Sequence, residues 1–589
     1  MFKGIVFFIK NGWKYDKLYI IWRLLFQFIN SLIPIVAVII PKYMIDELTG
    51  DKNISKLILY VAVLAGYTLI ATCLSNYWNW DAFSRRCRVS AEFDSDLHRR
   101  LAEADFERLE DPHFLDMQEK AKKFLYCDWH GFGYLLDCAM MIIGQCFTLI
   151  GISAVIITLD WRIIAIFIIS LIISTKLEGI QKKKAMRLSQ EISRDQRGWR
   201  YYSELFEDFS YGKEIRMNCI QNWLLSRERS YFTKVNSNLK QQNDTYIKAG
   251  NLGALFTFLQ QIIAYGYLLA CIVQGAISIG SFTMYTSAVT AFASSFRRVM
   301  ESIIEIRAYD MYYDDLNEYL AFPKKLRQGK ESLKLTGKDQ IEFKNVSFRY
   351  PGNDQYVLKN INICIRSGEK LSVVGENGAG KTTFVKLLTR LYDPTEGEIL
   401  FNGVNIKKIQ YEQYMSLFST VYQDYKLFSF SLKDNIALSL PVDEKKIQRV
   451  LEHVGLSKKL LTLPKGTDTM LYKNFAEDGF EPSGGEGQKI ALARALYKDA
   501  PFVILDEPTA AWDPRAEYEM YRNFNEIVKG KTAVYISHRM SSTKFCDKVA
   551  VFEKGELAEY GTHDELMKKD GLYKELFGMQ AQYYNHQES

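Results

Sequence analysis

Residues 373–384 read VVGENGAGKTTF: an apolar run stops at the first of three glycines, and a lysine and two threonines follow the last. The spacing Gly375-x-x-x-x-Gly380-Lys381-Thr382 suits one kind of chemistry. Glycines let successive backbone N–H groups converge on phosphate oxygens, and Lys381 adds a point charge for the outer phosphates. The Thr382 hydroxyl can ligate Mg²⁺, and a helix starting there adds its positive end. Lys370–Val374 reads as a strand and Phe384–Leu388 as a helix, which is the context such a loop needs. The whole stretch Gly375, Glu376, Asn377, Gly378, Ala379, Gly380, Lys381, Thr382 and Thr383 is therefore predicted to hold a nucleotide.

A nucleotide site also needs a strand that ends in a carboxylate. Phe502-Val503-Ile504-Leu505-Asp506-Glu507 has that form. Asp506 is placed to hold Mg²⁺ directly or through water. Glu507, one residue on, is placed to polarise an attacking water.

Together these segments resemble the ATP-binding cassette (ABC) family, and the chain as a whole resembles an ABC exporter half-transporter with the type IV exporter fold. Further motifs in the family's order carry the resemblance. Tyr350, in Phe348-Arg349-Tyr350-Pro351-Gly352, matches the aromatic that stacks on adenine. Gln423, in Val421-Tyr422-Gln423-Asp424, matches the glutamine that joins the γ-phosphate and metal site to the membrane domain. Ser483-Gly484-Gly485-Glu486 matches the signature loop, which in the family binds the γ-phosphate held by the other subunit. Asp513 matches the loop crossing between partner sites, and His538 matches the switch histidine at the γ-phosphate. The resemblance implies ATP and Mg²⁺ as cofactors, with Glu507, His538 and Gln423 catalytic and Thr382, Gln423 and Asp506 at the metal. One cassette per chain implies a dimer with a second half-transporter. Three positions depart from the pattern. Pro482 and Glu486 replace the usual leucine and glutamine of the signature, and Trp512 replaces a smaller leucine. Glu486 puts a carboxylate close to a phosphate site.

The elements that must carry this cassette begin in a very different sequence. Leu57–Trp80 has 24 uncharged residues, and Cys138–Leu159 has 22. As a helix, 24 residues extend about 36 Å, enough to cross a bilayer with some tilt. Ala249–Phe296 carries no charge and has room for two spans with a turn at 275–280. The spacing predicts six spans, near 17–40, 57–80, 136–159, 161–178, 249–274 and 282–305. The fold class expected is thus an all-α polytopic membrane domain over 1–320, a linker over 321–340 and an α/β P-loop cassette over 341–589. Linkers 81–133 and 177–248 hold nine and fourteen Lys and Arg, against three and one in loops 41–56 and 160–162. By the positive-inside rule the long linkers, both termini and the cassette face the cytoplasm. Each linker is expected to turn through a short transverse helix, at 111–115 and at 211–216. The N-terminal stretch is expected to lie on the inner leaflet with Phe7, Phe8 and Trp13 dipping inward. Arg23, Asp137, Asn251, Gln260 and Gln261 are candidates for a polar path, with interhelical hydrogen bonding favoured for Asp137.

The net charge of +6 over 589 residues gives no concentrated basic face, so nucleic acid is not an expected partner. The nine scattered cysteines form no C-x-x-C pair, which argues against a zinc site or disulfide framework. The expected function is ATP-driven export of a peptide, lipid or amphipathic small molecule across the cytoplasmic membrane by alternating access in a dimer. A homodimer is favoured over a heterodimer. The alternative reading is a nucleotide-gated membrane switch built on the same cassette. No protease domain is expected ahead of the spans, so leader cleavage is not built in.

Overall fold

The computed structural model describes residues 3–115, 117–118, 121, 131–159, 168–170, 172–174, 176–177, 179–181, 184, 193–507, 528, 530–537 and 540–585. They fall into two compact units. One comprises Met1–Ala102 with His113–Phe322, the other Glu103–Pro112 with Pro323–Ser589.

The first unit is helical. Its long helices are Lys17–Thr49, Ile54–Ala102, Gly131–Ile157, Gln221–Val273 and Ile279–Ala321. Among the described residues four helices are long and apolar enough to cross a membrane: Lys17–Thr49, Ile54–Ala102, Gly133–Ile157 and Gln221–Val273. Their outward apolar side chains, such as Leu69 and Ile70, stand more than half exposed, as a lipid-facing surface requires. The expected 160–162 turn and part of the span near 161–178 lie outside the described residues. Between Val273 and Ile279 the chain turns, and Ser278 caps the next helix by accepting from Ser281 N at 3.0 Å. Its own hydroxyl donates to Asp46 at 2.7 Å.

Two expectations are refined here. Phe7, on the N-terminal helix Lys3–Tyr15, packs on protein rather than lipid, with ring centroids 5.8 Å from Phe93 and 5.3 Å from Tyr313. Asp137 is a hub between helices. It accepts from Tyr19 at 2.9 Å and pairs with Arg23 at 2.9 Å and Arg86 at 3.1 Å. Arg23 is thereby committed to Asp137 and, at 3.0 Å, to Asn79. Gln260 is buried, and neither of its amide atoms has a hydrogen-bond partner among the described residues.

The second cytoplasmic turn is a 3-10 turn, Phe209–Tyr211, followed by a short helix, Gly212–Met217. Phe209 is 93% exposed and Met217 82%, and Phe209, Ile215 and Arg216 line a cavity of about 400 Å³. In the first linker residues 112–115 are helical, as expected, and a further short helix precedes them at Phe106–Leu109. Asp105, at its start, does not cap it. Its carboxylate instead accepts from Lys325 N at 2.7 Å and Leu326 N at 3.3 Å, which binds the turn into the second unit.

The second unit holds two sheets. A four-stranded antiparallel sheet has the order β2-β1-β4-β5, with β1 Gln340–Phe348, β2 Leu358–Arg366, β4 Glu396–Phe401 and β5 Val404–Asn405. A six-stranded sheet has the order β10-β9-β3-β8-β7-β6. Its strands are β3 Lys370–Gly375, β6 Phe418–Val421, β7 Phe502–Asp506, β8 Thr532–Ile536, β9 Lys548–Glu553 and β10 Glu556–Gly561. All neighbours in it are parallel except β10, which runs antiparallel on β9. The sequences explain this. β7 (FVILD) and β8 (TAVYI) are apolar on both faces and buried throughout, as inner parallel strands must be. A core including Phe343, Phe384, Phe418 and Phe502 fills the space between the sheets.

Arg390 is 1% exposed and fixes the join to the linker. Its guanidinium donates to the carbonyls of Leu326 at 3.0 Å and Ile409 at 3.1 Å. Arg390→Ala leaves these acceptors buried and unpaired, and should cost about 3 kcal/mol. The check is thermal unfolding of the full-length protein, where the cassette transition should fall by several degrees; no shift would refute this role.

Candidate functional site

The site grows from the carboxyl edge of the parallel strands, where ligands bind in open α/β sheets. β3 ends at Gly375, β6 at Val421, β7 at Asp506 and β8 at Ile536. The pairings Val373↔Ile536, Val421↔Leu505 and Asp506↔Ile536 bring these ends to one level. The loop after β3 wraps round and opens the helix Lys381–Leu388. Gly380 has φ +101°, and a Cβ there would lie 2.6 Å from Leu358. At Gly375, φ +149°, a Cβ would meet the Phe552 carbonyl at 2.3 Å. The glycines are therefore required by both backbone and packing.

Lys381 is buried and donates to the carbonyls of Gly375 and Glu376, each at 2.9 Å. Burial lowers its pKa, and the charges of Glu507 and Asp506 work against that. Asp506 is 2% exposed. Burial and then the nearby Glu507 charge push its carboxyl up to about 6, opposed by Lys381. Thr382, which follows Lys381 in sequence, is exposed. These groups fit a phosphate-bound Mg²⁺: a hydroxyl, a buried carboxylate and a cation with glycine-built backbone around them.

Glu507 has φ +48°, a conformation uncommon outside glycine and one that clusters at functional sites. Its N–H donates to the Ile536 carbonyl at 3.0 Å, which pins the backbone there. Its carboxylate accepts from Gln423 Nε2 at 2.9 Å, so two predicted catalytic residues meet. Asp513, Trp512 and His538 lie outside the described residues.

Tyr350 is half-buried, and its hydroxyl meets Thr383 Oγ1 at 3.0 Å. Lys386 Nζ stands 5.3 Å from its ring centroid. Residues that sequence reasoning missed surround it. Lys386 also lies 5.6 Å from the rings of Phe106 and Tyr392, and pairs with Glu110 at 3.1 Å. Tyr392 donates to Glu110 as well.

The signature loop is exposed at Ser483 and Gly484 and starts the helix Gly484–Lys498. Two bonds tie it to the catalytic edge. Tyr425 donates to the Gly484 carbonyl at 3.0 Å, and Gln488 Nε2 to the Glu507 carbonyl at 3.3 Å. Tyr425, two residues past Gln423, could have been found from that spacing.

A phosphate loop on a parallel sheet edge, a second exposed loop of the signature type and a unit of long apolar helices are the features of an ABC exporter half-transporter. The comparisons support that class, an ATP-driven membrane exporter with ATPase activity. The ABC transporter family model matches residues 358–510. The chain is 28% identical to the subtilin transport ATP-binding protein SpaT of Bacillus subtilis over 565 residues, 94% of this chain and 90% of that one. It is 25% identical to the nisin transport ATP-binding protein NisT of Lactococcus lactis over 95% of this chain and 94% of the other. A 37% identity to an ATP-dependent lipid A-core flippase of Burkholderia orbicola covers 41% of this chain and 40% of that one. The fold matches the structure of a bacterial Atm1-family ABC exporter with ATP bound. That match has a TM-score of 0.83 at 19% identity, covering 96% of this chain and 98% of the other.

Replacing Glu507 by Gln keeps the hydrogen-bonding shape and removes the base. ATP turnover by the purified protein should fall about 10²- to 10⁴-fold. Turnover within threefold of the parent would remove Glu507 from the catalytic role.

Proposed function

We propose that two copies of this chain form a homodimer that exports an amphipathic solute, a peptide being the favoured class, from the cytoplasm. The relatives named for subtilin and nisin transport align over nearly the whole chain, membrane half included, and support the peptide reading. The long basic linkers and the cassette face the cytoplasm, in keeping with the charge asymmetry of the loops.

ATP sits on the P-loop of one copy, with Tyr350 against adenine and Lys381 on the outer phosphates. Ser483, Gly484 and Gly485 of the second copy close over the γ-phosphate. Mg²⁺, held by Thr382, Asp506 and Gln423, supplies positive charge to the phosphates when bound. Glu507 accepts a proton from water as its oxygen attacks the γ-phosphorus. The bond from that phosphorus to the bridging oxygen breaks, leaving ADP and phosphate. By their match to the family's motifs, Asp513 is assigned to the link between the sites and His538 to the γ-phosphate. The observation that carries this reading is the meeting of Gln423 and Glu507 at the strand edge that also holds Lys381 and Asp506. Closure favours one arrangement of the spans only because ATP binds the closed dimer better than the open one.

The cytoplasmic turns transmit that preference. A cassette cavity of about 570 Å³, lined in part by Met415, Tyr422 and Arg494, can take a large apolar side chain. Phe209 and Met217 of a second copy are the side chains we assign to it, since both stand exposed on the second turn.

Inside-out vesicles carrying the protein should accumulate nisin or subtilin in an ATP-dependent way, and either peptide should stimulate ATPase. Nucleotide-gated ion current without peptide uptake would overturn export. Phe209→Ala should abolish peptide stimulation while retaining most basal ATPase. Stimulation at the parent level would exclude the second turn from coupling.

A further inference from the structure

Ser483 offers two donors to a phosphate, its N–H and its hydroxyl. Both are already bonded, and to the same atom. Ser483 N reaches Glu486 Oε2 at 2.9 Å, and Ser483 Oγ reaches it at 2.8 Å. The other oxygen of that carboxylate, Oε1, pairs with Lys459 Nζ at 3.1 Å. Lys459 comes from a different helix, Ser457–Leu460, and its ammonium also lies 4.7 Å from the Phe480 ring. Glu486 is thus a three-quarters buried carboxylate with a partner for each oxygen. Burial raises its pKa, but the Ser483 hydrogen bonds and then Lys459 outweigh that and lower it, so the group is an anion at neutral pH.

A helix-capping box accounts for the bond from Ser483 N, with the Glu486 N–H donating back to Ser483 Oγ at 3.4 Å. It does not account for the lysine, and it does not need a charge. Gln has the same shape and caps through its amide oxygen. A carboxylate differs in two ways. It competes with phosphate oxygens for the same two hydrogens, because each donor hydrogen makes one good bond. It also repels an arriving phosphate at close range.

We propose that Glu486 is an internal phosphate mimic. Held on Ser483, it must be displaced toward Lys459 before the partner's γ-phosphate can be bound, and so it sets the ATP concentration at which the dimer closes. Lys459 is a positioning residue, the seat that receives the displaced carboxylate. This inference rests on the reading that Ser483 meets a triphosphate held by a second copy.

The test uses the full-length chain in lipid nanodiscs, with ATPase measured across ATP concentration for E486Q, K459M, S483A and E486Q/K459M. E486Q should lower the KM for ATP about fivefold, the shift being carried by KM rather than kcat. K459M should raise KM about threefold in the parent and leave it unaltered in E486Q, because Lys459 acts only through the carboxylate. S483A should raise KM in both backgrounds. ATP binding measured in the E507Q background gives the same ordering without turnover. If E486Q leaves KM unchanged or raises it while S483A impairs binding, the mimic is refuted and the dimer reading stands. Additive effects of K459M and E486Q refute the positioning role. If S483A changes nothing, the dimer reading fails, and the mimic with it. Should E486Q not fold, K459M against S483A still decides the matter, since an unchanged KM in K459M refutes the displacement step.

Discussion

The catalytic edge depends on the attraction between the Lys381 ammonium and the carboxylates of Glu507 and Asp506. Lys381 and Asp506 are almost fully buried, and burial alone drives each toward its neutral form. The lysine's charge is supported first by Glu507 and then by Asp506, while the aspartate's is supported by Lys381 against the repulsion of Glu507. Neither residue could sit there alone without a cost of several kcal/mol. The parallel register of β3, β8 and β7 brings them to the same edge. Sheet, loop and charge pair are therefore one device, since the strands can be wholly apolar only if their polar ends neutralise each other.

From that edge two lines of bonding run outward in the same protomer. One passes from Glu507 through the Gln488 amide to the signature helix, and the other from the Gln423 loop through Tyr425 to Gly484. In the proposed dimer, the half that reacts with one nucleotide would thus be joined by these bonds to the half that recognises another. In a symmetric pair, each copy contributes one half to each site. The strained backbone of Glu507 lies at the junction of these lines, where a shift of either would change the direction of its carboxylate.

The phosphate loop and the carboxylate strand were legible because each is a contiguous run whose residue types are dictated by backbone geometry. The apolar spans were legible for the same reason, since bilayer thickness sets a length that composition reveals. Where helices stop was less legible. Ile54–Ala102 runs 22 residues past Trp80 on mixed residues that give no stop signal. What escaped the sequence is nonlocal pairing. Nothing in the stretch around Lys459 marks it as the partner of Glu486, and nothing in Asp105 foretells its bonds to Lys325 and Leu326. The Phe7 expectation missed for a related reason: an aromatic on an amphipathic helix suits lipid or protein equally, and only the positions of Phe93 and Tyr313 decide.

The grouping of Glu103–Pro112 with the cassette has a practical corollary for dissecting the protein. A fragment excised at Pro323 would carry the linker amides of Lys325 and Leu326 stripped of the Asp105 carboxylate. It would also uncover the aromatic box of Tyr350, Tyr392 and Lys386, which Phe106 and Glu110 cover in the whole chain. The natural severable module is discontinuous in sequence: a soluble surrogate would have to graft the ten-residue loop back on, by fusion or as a peptide supplied in trans.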